Sequence, residues 1–81
     1  MKNVTVLGST GSVGVQALQV IENNKEDFNL IGISANKNVD LLIKQARLYK
    51  PKYVCISDDN YKDILVNTLN SSEFKILSGR D

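Results

Sequence analysis

The segment Val4-Thr-Val-Leu-Gly8-Ser-Thr-Gly11-Ser-Val-Gly14 sets three evenly spaced glycines between an apolar run and a helical pattern. A phosphate anion needs that order: backbone N–H groups it can approach closely, and the positive end of a helix dipole behind them. Side chains at those positions would hold the anion off. Gly8 is expected to take the tight turn leaving the strand, Gly11 to let the backbone meet the phosphates, and Gly14 to let the first helix lie close on the sheet. The hydroxyls of Ser9, Thr10 and Ser12 are donors of the kind phosphate oxygens accept, and Ser12 is also placed to cap the helix. The spacing is GxxGxxG rather than GxGxxG, so the order strand, loop, helix counts for as much as the glycines themselves. A nucleoside-triphosphate loop is disfavoured, because Val15 and Gln16 stand where GK[ST] requires Lys and Ser/Thr. A dinucleotide pyrophosphate fits better; an ordinary glycine-rich turn without a ligand is the competing reading.

A second cluster, Ser34-Ala-Asn36-Lys37-Asn38, follows the next apolar run. In a dinucleotide-binding fold the loop after the second strand meets the adenosine ribose, where an Asp or Glu hydrogen-bonds the 2′-hydroxyl of NAD. This chain has no acid there. Lys37 can neutralise a 2′-phosphate that a carboxylate would repel, so NADP is expected rather than NAD. The bland alternatives are a solvated cation at Lys37 and, at Asn38, a helix N-cap before Val39-Asp-Leu-Leu. Asn38 can do both jobs.

The elements that must position these loops follow from periodicity. Val4 to Leu7 reads as the first strand, and Val13, Ala17, Leu18 and Ile21 fall on one face of the helix after it. Phe28 to Ser34 reads as a second strand; Val39, Leu42, Ile43 and Ala46 mark a second helix that stops just before Pro51. Tyr53 to Ile56 is a third strand, Ser57-Asp-Asp59 supplies caps, and Tyr61, Ile64, Leu65, Thr68 and Leu69 form the next helical face. Phe74 to Leu77 is a fourth strand. Alternating strands and helices imply an α/β, Rossmann-like parallel sheet with flanking helices and right-handed crossovers, the first half of a dinucleotide-binding domain.

Composition narrows the class further. At 81 residues, 42% hydrophobic and 23% charged, the chain is globular in character and at most one domain. A chain of this size buries only about 60% of its unfolded surface, so it is expected to be marginal alone. Ten Lys and Arg against nine Asp and Glu leave a net charge of +1, which makes no case for nucleic acid or an anionic membrane. The single cysteine, Cys55, excludes an internal disulfide, and its place in Tyr53-Val-Cys-Ile56 predicts a buried strand residue rather than a nucleophile. No long apolar span, signal peptide or basic presequence is read ahead of Val4, and a reducing cytoplasm is the expected location.

GSTGSVG after the first strand, ANKNV at the end of the second, then KPKYV and the SDD turn together resemble the 1-deoxy-D-xylulose 5-phosphate reductoisomerase family along essentially the whole chain. The resemblance implies that residues 1–81 are part of an NADPH-binding domain from a longer chain. Thr10, Gly11, Ser12 and Val13 would then contact the phosphates and adjoining groups, with Asn36, Lys37 and Asn38 around the adenosine 2′-phosphate. Many relatives carry glycine at the place of Asn36. The family rearranges 1-deoxy-D-xylulose 5-phosphate and reduces it with NADPH to 2-C-methyl-D-erythritol 4-phosphate, an early step of non-mevalonate isoprenoid synthesis. It uses Mg²⁺ or Mn²⁺ held by downstream carboxylates and acts on a small sugar phosphate, and the parent is expected to be a homodimer. This chain has no histidine, and Glu22, Glu26, Asp27, Asp58 and Asp59 fall in cap or solvent-facing patterns. Neither a catalytic residue nor a metal ligand is expected within it. Two other readings stay open from the residues alone: half of another NADP-dependent GxxGxxG oxidoreductase, or a non-catalytic nucleotide-binding module.

Overall fold

The computed structural model describes residues 2–69 and 73–79. Along the chain run β1 (Lys2–Val6), α1 (Ser12–Asn23), β2 (Phe28–Ala35), α2 (Val39–Tyr49), β3 (Tyr53–Ile56), a 3₁₀ turn (Asp59–Tyr61), α3 (Lys62–Thr68) and β4 (Lys75–Ser78). The described strands form one sheet in the order β1-β2-β3-β4, and every neighbouring pair is parallel. Each crossover therefore passes through a helix, as parallel pairing demands. The fold is α/β and Rossmann-like, as the alternation predicted.

The strands bury one face only. Val6, Ile33, Ala35, Val54 and Ile56 project from the sheet into a core with Leu18 of α1, Leu42 and Ala46 of α2, and Leu65 of α3. On the opposite face, which no described helix covers, lie Thr5, Gly32, Ser34, Tyr53, Cys55 and Leu77 around an open hollow of about 320 Å³. The period-2 alternation of a strand sorts these two sets. Cys55 is thus half-buried on the bare face, with its thiol 3.9 Å from the Gly79 carbonyl oxygen, and not the core residue its apolar neighbours predicted. Between β1 and β2 the register slips: Val4 pairs with Leu30 but Thr5 with Gly32, so Ile31 is the extra residue of a bulge.

Element ends depart from the periodicity by a residue or two, for local reasons. β1 ends at Val6 because Gly8, at φ +66°, turns the chain away, and Leu7 is left 79% exposed in the turn. β2 runs one residue further, to Ala35, and β4 spans Lys75–Ser78, with Phe74 buried just ahead of it. α2 is as expected: Val39, Leu42, Ile43 and Ala46 are all buried, and Lys50 closes it in the left-handed region just before Pro51. On α3 only Leu65 is buried within the helix; Leu69 is buried just beyond it, while Ile64 and Thr68 face outward.

Val13 also departs from its expected face. Ala17, Leu18 and Ile21 pack on the core, but Val13 is 79% exposed and shares with Val20, Leu7 and Thr5 a groove of about 690 Å³ beside β1. It looks past the last strand, not at the sheet. β1 is an edge strand, and half its backbone groups point into that groove without a strand partner among the described residues. Alternate amides of β1 should accordingly exchange with solvent at least about a hundredfold faster than those of the central strand β2, and the chain should self-associate as its concentration rises. Uniform protection across β1 in a strictly monomeric sample, by hydrogen exchange and sedimentation, would contradict the open edge.

Candidate functional site

Because β1 and β2 are parallel neighbours, the loops that follow them emerge at the same edge of the sheet. The glycine turn and the Asn36-Lys37-Asn38 loop are brought together there by topology alone. In open α/β sheets this carboxyl edge is where ligands bind.

The turn is built on backbone contacts. Gly8 needs its glycine for conformation, and its N–H donates to the Ser34 hydroxyl at 3.2 Å. Gly11 N–H donates to the Gly8 carbonyl at 3.0 Å, closing the turn, and Gly11 then serves as the N-cap of α1. Gly14 is needed for space. A β-carbon there would overlap the Gly8 carbonyl oxygen and stand 2.6 Å from Ser9 Cα, so α1 is pressed against the turn itself rather than simply against the sheet.

α1 starts at Ser12 with no side chain capping it. Ser12 is therefore the first helical residue and not the cap, since Gly11 already occupies the capping place with extended backbone at φ −77°, ψ 167°. The first backbone bond into the helix is Val15 N–H to the Gly11 carbonyl at 2.9 Å. The N–H groups of Ser12, Val13 and Gly14 precede it, and a helix start of this kind presents them outward with the dipole's positive end. Gly11, Ser12 and Val13 are exposed around them, and Thr10 is half-buried. This donor set suits a phosphate. α2 makes the contrast plain, because there Asn38 Oδ1 accepts from Leu41 N–H at 3.3 Å and completes the cap.

Ser9 does not take the phosphate-facing role its hydroxyl suggested. It is completely buried, and its Oγ donates to Gln45 Oε1 at 2.7 Å. Gln45 Nε2 donates in turn to the Ser9 carbonyl at 2.8 Å, and Ser9 N–H to the Ser34 carbonyl at 2.7 Å. Sequence reasoning missed Gln45 and the supporting place of Ser34. The signal for Gln45 was a lone polar residue directly beside the apolar stripe Val39, Leu42, Ile43, Ala46.

In the second loop Asn36, Lys37 and Asn38 are all exposed. The Asn36 carbonyl accepts from Asp58 N–H at 3.2 Å and Lys37's carbonyl from Val39 N–H at 2.7 Å, so the loop backbone is held while its side chains face solvent. Lys37 makes no ion pair among the described residues. Of the acids, Glu22 pairs with Lys25 at 2.7 Å on the surface and Asp58 caps Asn60 N–H at 3.0 Å; among the described residues no three His, Cys, Asp or Glu side chains are grouped as metal ligands. No helix among them is long and apolar enough to cross a membrane.

A parallel sheet whose first strand turns through glycines into a helix with no side-chain cap defines a Rossmann-like domain. The family model described as 1-deoxy-D-xylulose 5-phosphate reductoisomerase matches residues 4–81. The chain is 44% identical over 85 residues to the reductoisomerase of Proteus mirabilis, and 44% identical over 79 residues to that of Thermoanaerobacter sp. strain X514. These alignments take in 100% and 98% of this chain but 21% and 20% of the relatives, so it spans about a fifth of their length. The solved reductoisomerase of Zymomonas mobilis in complex with NADPH superposes with a TM-score of 0.88 at 35% identity, over 96% of this chain and 21% of that one. A second, in complex with NADPH, fosmidomycin and magnesium, gives 0.84 at 28% identity, over 98% of this chain and 20% of that one. The chain belongs to the 1-deoxy-D-xylulose 5-phosphate reductoisomerase family.

The glycines should separate on substitution. Gly14→Ala must push α1 off the turn and is expected to lose about 1–3 kcal/mol of stability by overpacking. Gly11→Ala meets an ordinary φ and a contact of 3.4 Å to the Gly8 oxygen, and should stay within about 1 kcal/mol. Equal losses in urea titrations of the two variants would contradict the packing described.

Proposed function

We propose that this chain is part of the NADPH-binding domain of a 1-deoxy-D-xylulose 5-phosphate reductoisomerase, and that residues 1–81 supply the adenosine and pyrophosphate side of the cofactor site. The observation that carries this reading is the uncapped start of α1 on the Gly8–Gly14 turn, at the same sheet edge as a loop that bears Lys37 and no acid. Thr10, Gly11, Ser12 and Val13 hold the pyrophosphate and adjoining groups, with Gly8 and Gly14 shaping the turn beneath them. Asn36, Lys37 and Asn38 surround the 2′-phosphate. Lys37 supplies the charge; Asn38 keeps its Oδ1 on the helix cap and offers its amide NH₂.

When bound, NADPH supplies the hydride for reduction of the rearranged sugar phosphate. The described residues bind and orient the cofactor and contribute no group to the rearrangement. The parent enzyme converts 1-deoxy-D-xylulose 5-phosphate to 2-C-methyl-D-erythritol 4-phosphate in isoprenoid synthesis, with Mg²⁺ or Mn²⁺ bound by residues outside this chain. It works as a homodimer in the cytoplasm. Support for these statements is family membership, together with relatives solved with NADPH and magnesium.

Titration with NADPH, NADH and adenosine 2′,5′-bisphosphate tests the assignment. NADPH should bind at least about tenfold more tightly than NADH, the value of one charge-assisted contact, and the bisphosphate should compete with it. Lys37→Glu should abolish the preference. Equal affinity for the two nicotinamide cofactors would overturn the role given to Lys37.

A further inference from the structure

Gln45 is 5% exposed on the sheet-facing side of α2, beside Leu42 and Ala46, which are completely buried. A polar side chain there is expensive to desolvate unless its groups are paired. Both ends of its amide are paired, and both with one residue. Oε1 accepts from Ser9 Oγ at 2.7 Å, and Nε2 donates to the Ser9 carbonyl at 2.8 Å, across 36 positions of sequence.

The second bond has a geometric consequence outside the buried pair. The peptide joining Ser9 and Thr10 is trans and planar, so its N–H points opposite to its C=O. The Ser9 carbonyl is turned inward to Gln45; the Thr10 N–H therefore points the opposite way, away from that buried pair. No described residue accepts a hydrogen bond from it. Without Gln45 the Ser9 carbonyl loses its acceptor role and this peptide is no longer held in one orientation.

We infer that Gln45 is a positioning residue: by clamping Ser9 from α2 it aims the Thr10 amide at the cofactor pyrophosphate. The inference rests on the NADPH reading above.

Gln45→Met keeps length and volume and removes both bonds. Leu65→Ala, on α3 and away from the turn, serves as a destabilised control. Both are compared with the unaltered chain at a temperature where circular dichroism shows all three folded. Gln45→Met should weaken NADPH binding about tenfold while leaving adenosine 2′-monophosphate, which carries no 5′-phosphate to meet the turn, within about threefold. Leu65→Ala should change neither. Without ligand, the Ser9 carbonyl carbon resonance should move in Gln45→Met and stay in Leu65→Ala. NADPH affinity unchanged in Gln45→Met, or equal loss for both ligands, overturns the positioning role and leaves the NADPH reading intact. Absence of NADPH binding by the unaltered chain overturns both.

Discussion

Ser9 is where the first strand, the second strand and the second helix are joined. Its N–H is held by Ser34, its carbonyl and hydroxyl by Gln45, and the helix residue Gly14 lies against its Cα. A turn with a glycine at φ +66° has many conformations open to it, and a phosphate-binding loop needs one. These contacts restrict it. The consequence is a division of labour within seven residues: the part of the turn that faces inward is spent on fixing the backbone, and the part that faces outward offers N–H groups. The two bonds to Gln45 are buried, where pairing matters most.

The one-sided sheet follows from the same connectivity. Helical crossovers between strands added in sequence order set the described helices' apolar sides, Leu18, Leu42, Ala46 and Leu65, on one face of the sheet, and the core forms there. The other face, with Tyr53 and Leu77 about two-fifths exposed, and the groove along β1 are apolar surfaces that helices and a neighbouring strand cover in complete doubly wound domains. That the chain spans about a fifth of its relatives accords with both surfaces being bare. Binding is located at the carboxyl edge, and the turn that serves it is held from the covered side.

The parts legible in the sequence were those set by backbone requirements. A glycine at a positive φ, a glycine under a helix and an asparagine ahead of an apolar helical stripe each leave a mark in one dimension: Gly8 makes the turn and Asn38 the cap as read, while Gly14 permits a close approach of the helix, to the turn rather than to the sheet. Side-chain direction was less legible. Ser9 and Thr10 are chemically alike in the sequence, yet only the fold shows that Ser9 is the buried one. Val13 has the right period for the core, but the helix surface it occupies lies past the end of the sheet. Cys55 sits in an apolar strand whose second face has no cover among the described residues. Gln45 left only the mark of a polar residue beside an apolar helical stripe; its role came with the fold, because its partner lies 36 residues away.

The central claim is that the two loops at the carboxyl edge hold one NADPH between them. Mapping amide resonances as NADPH is added to the chain tests it most directly. The account predicts the largest shifts at Thr10 to Gly14 and at Asn36 to Asn38, saturating together, with Lys25, Lys50 and Glu73 at the far end unmoved. Shifts spread evenly over the molecule, or confined to the far end, would contradict it.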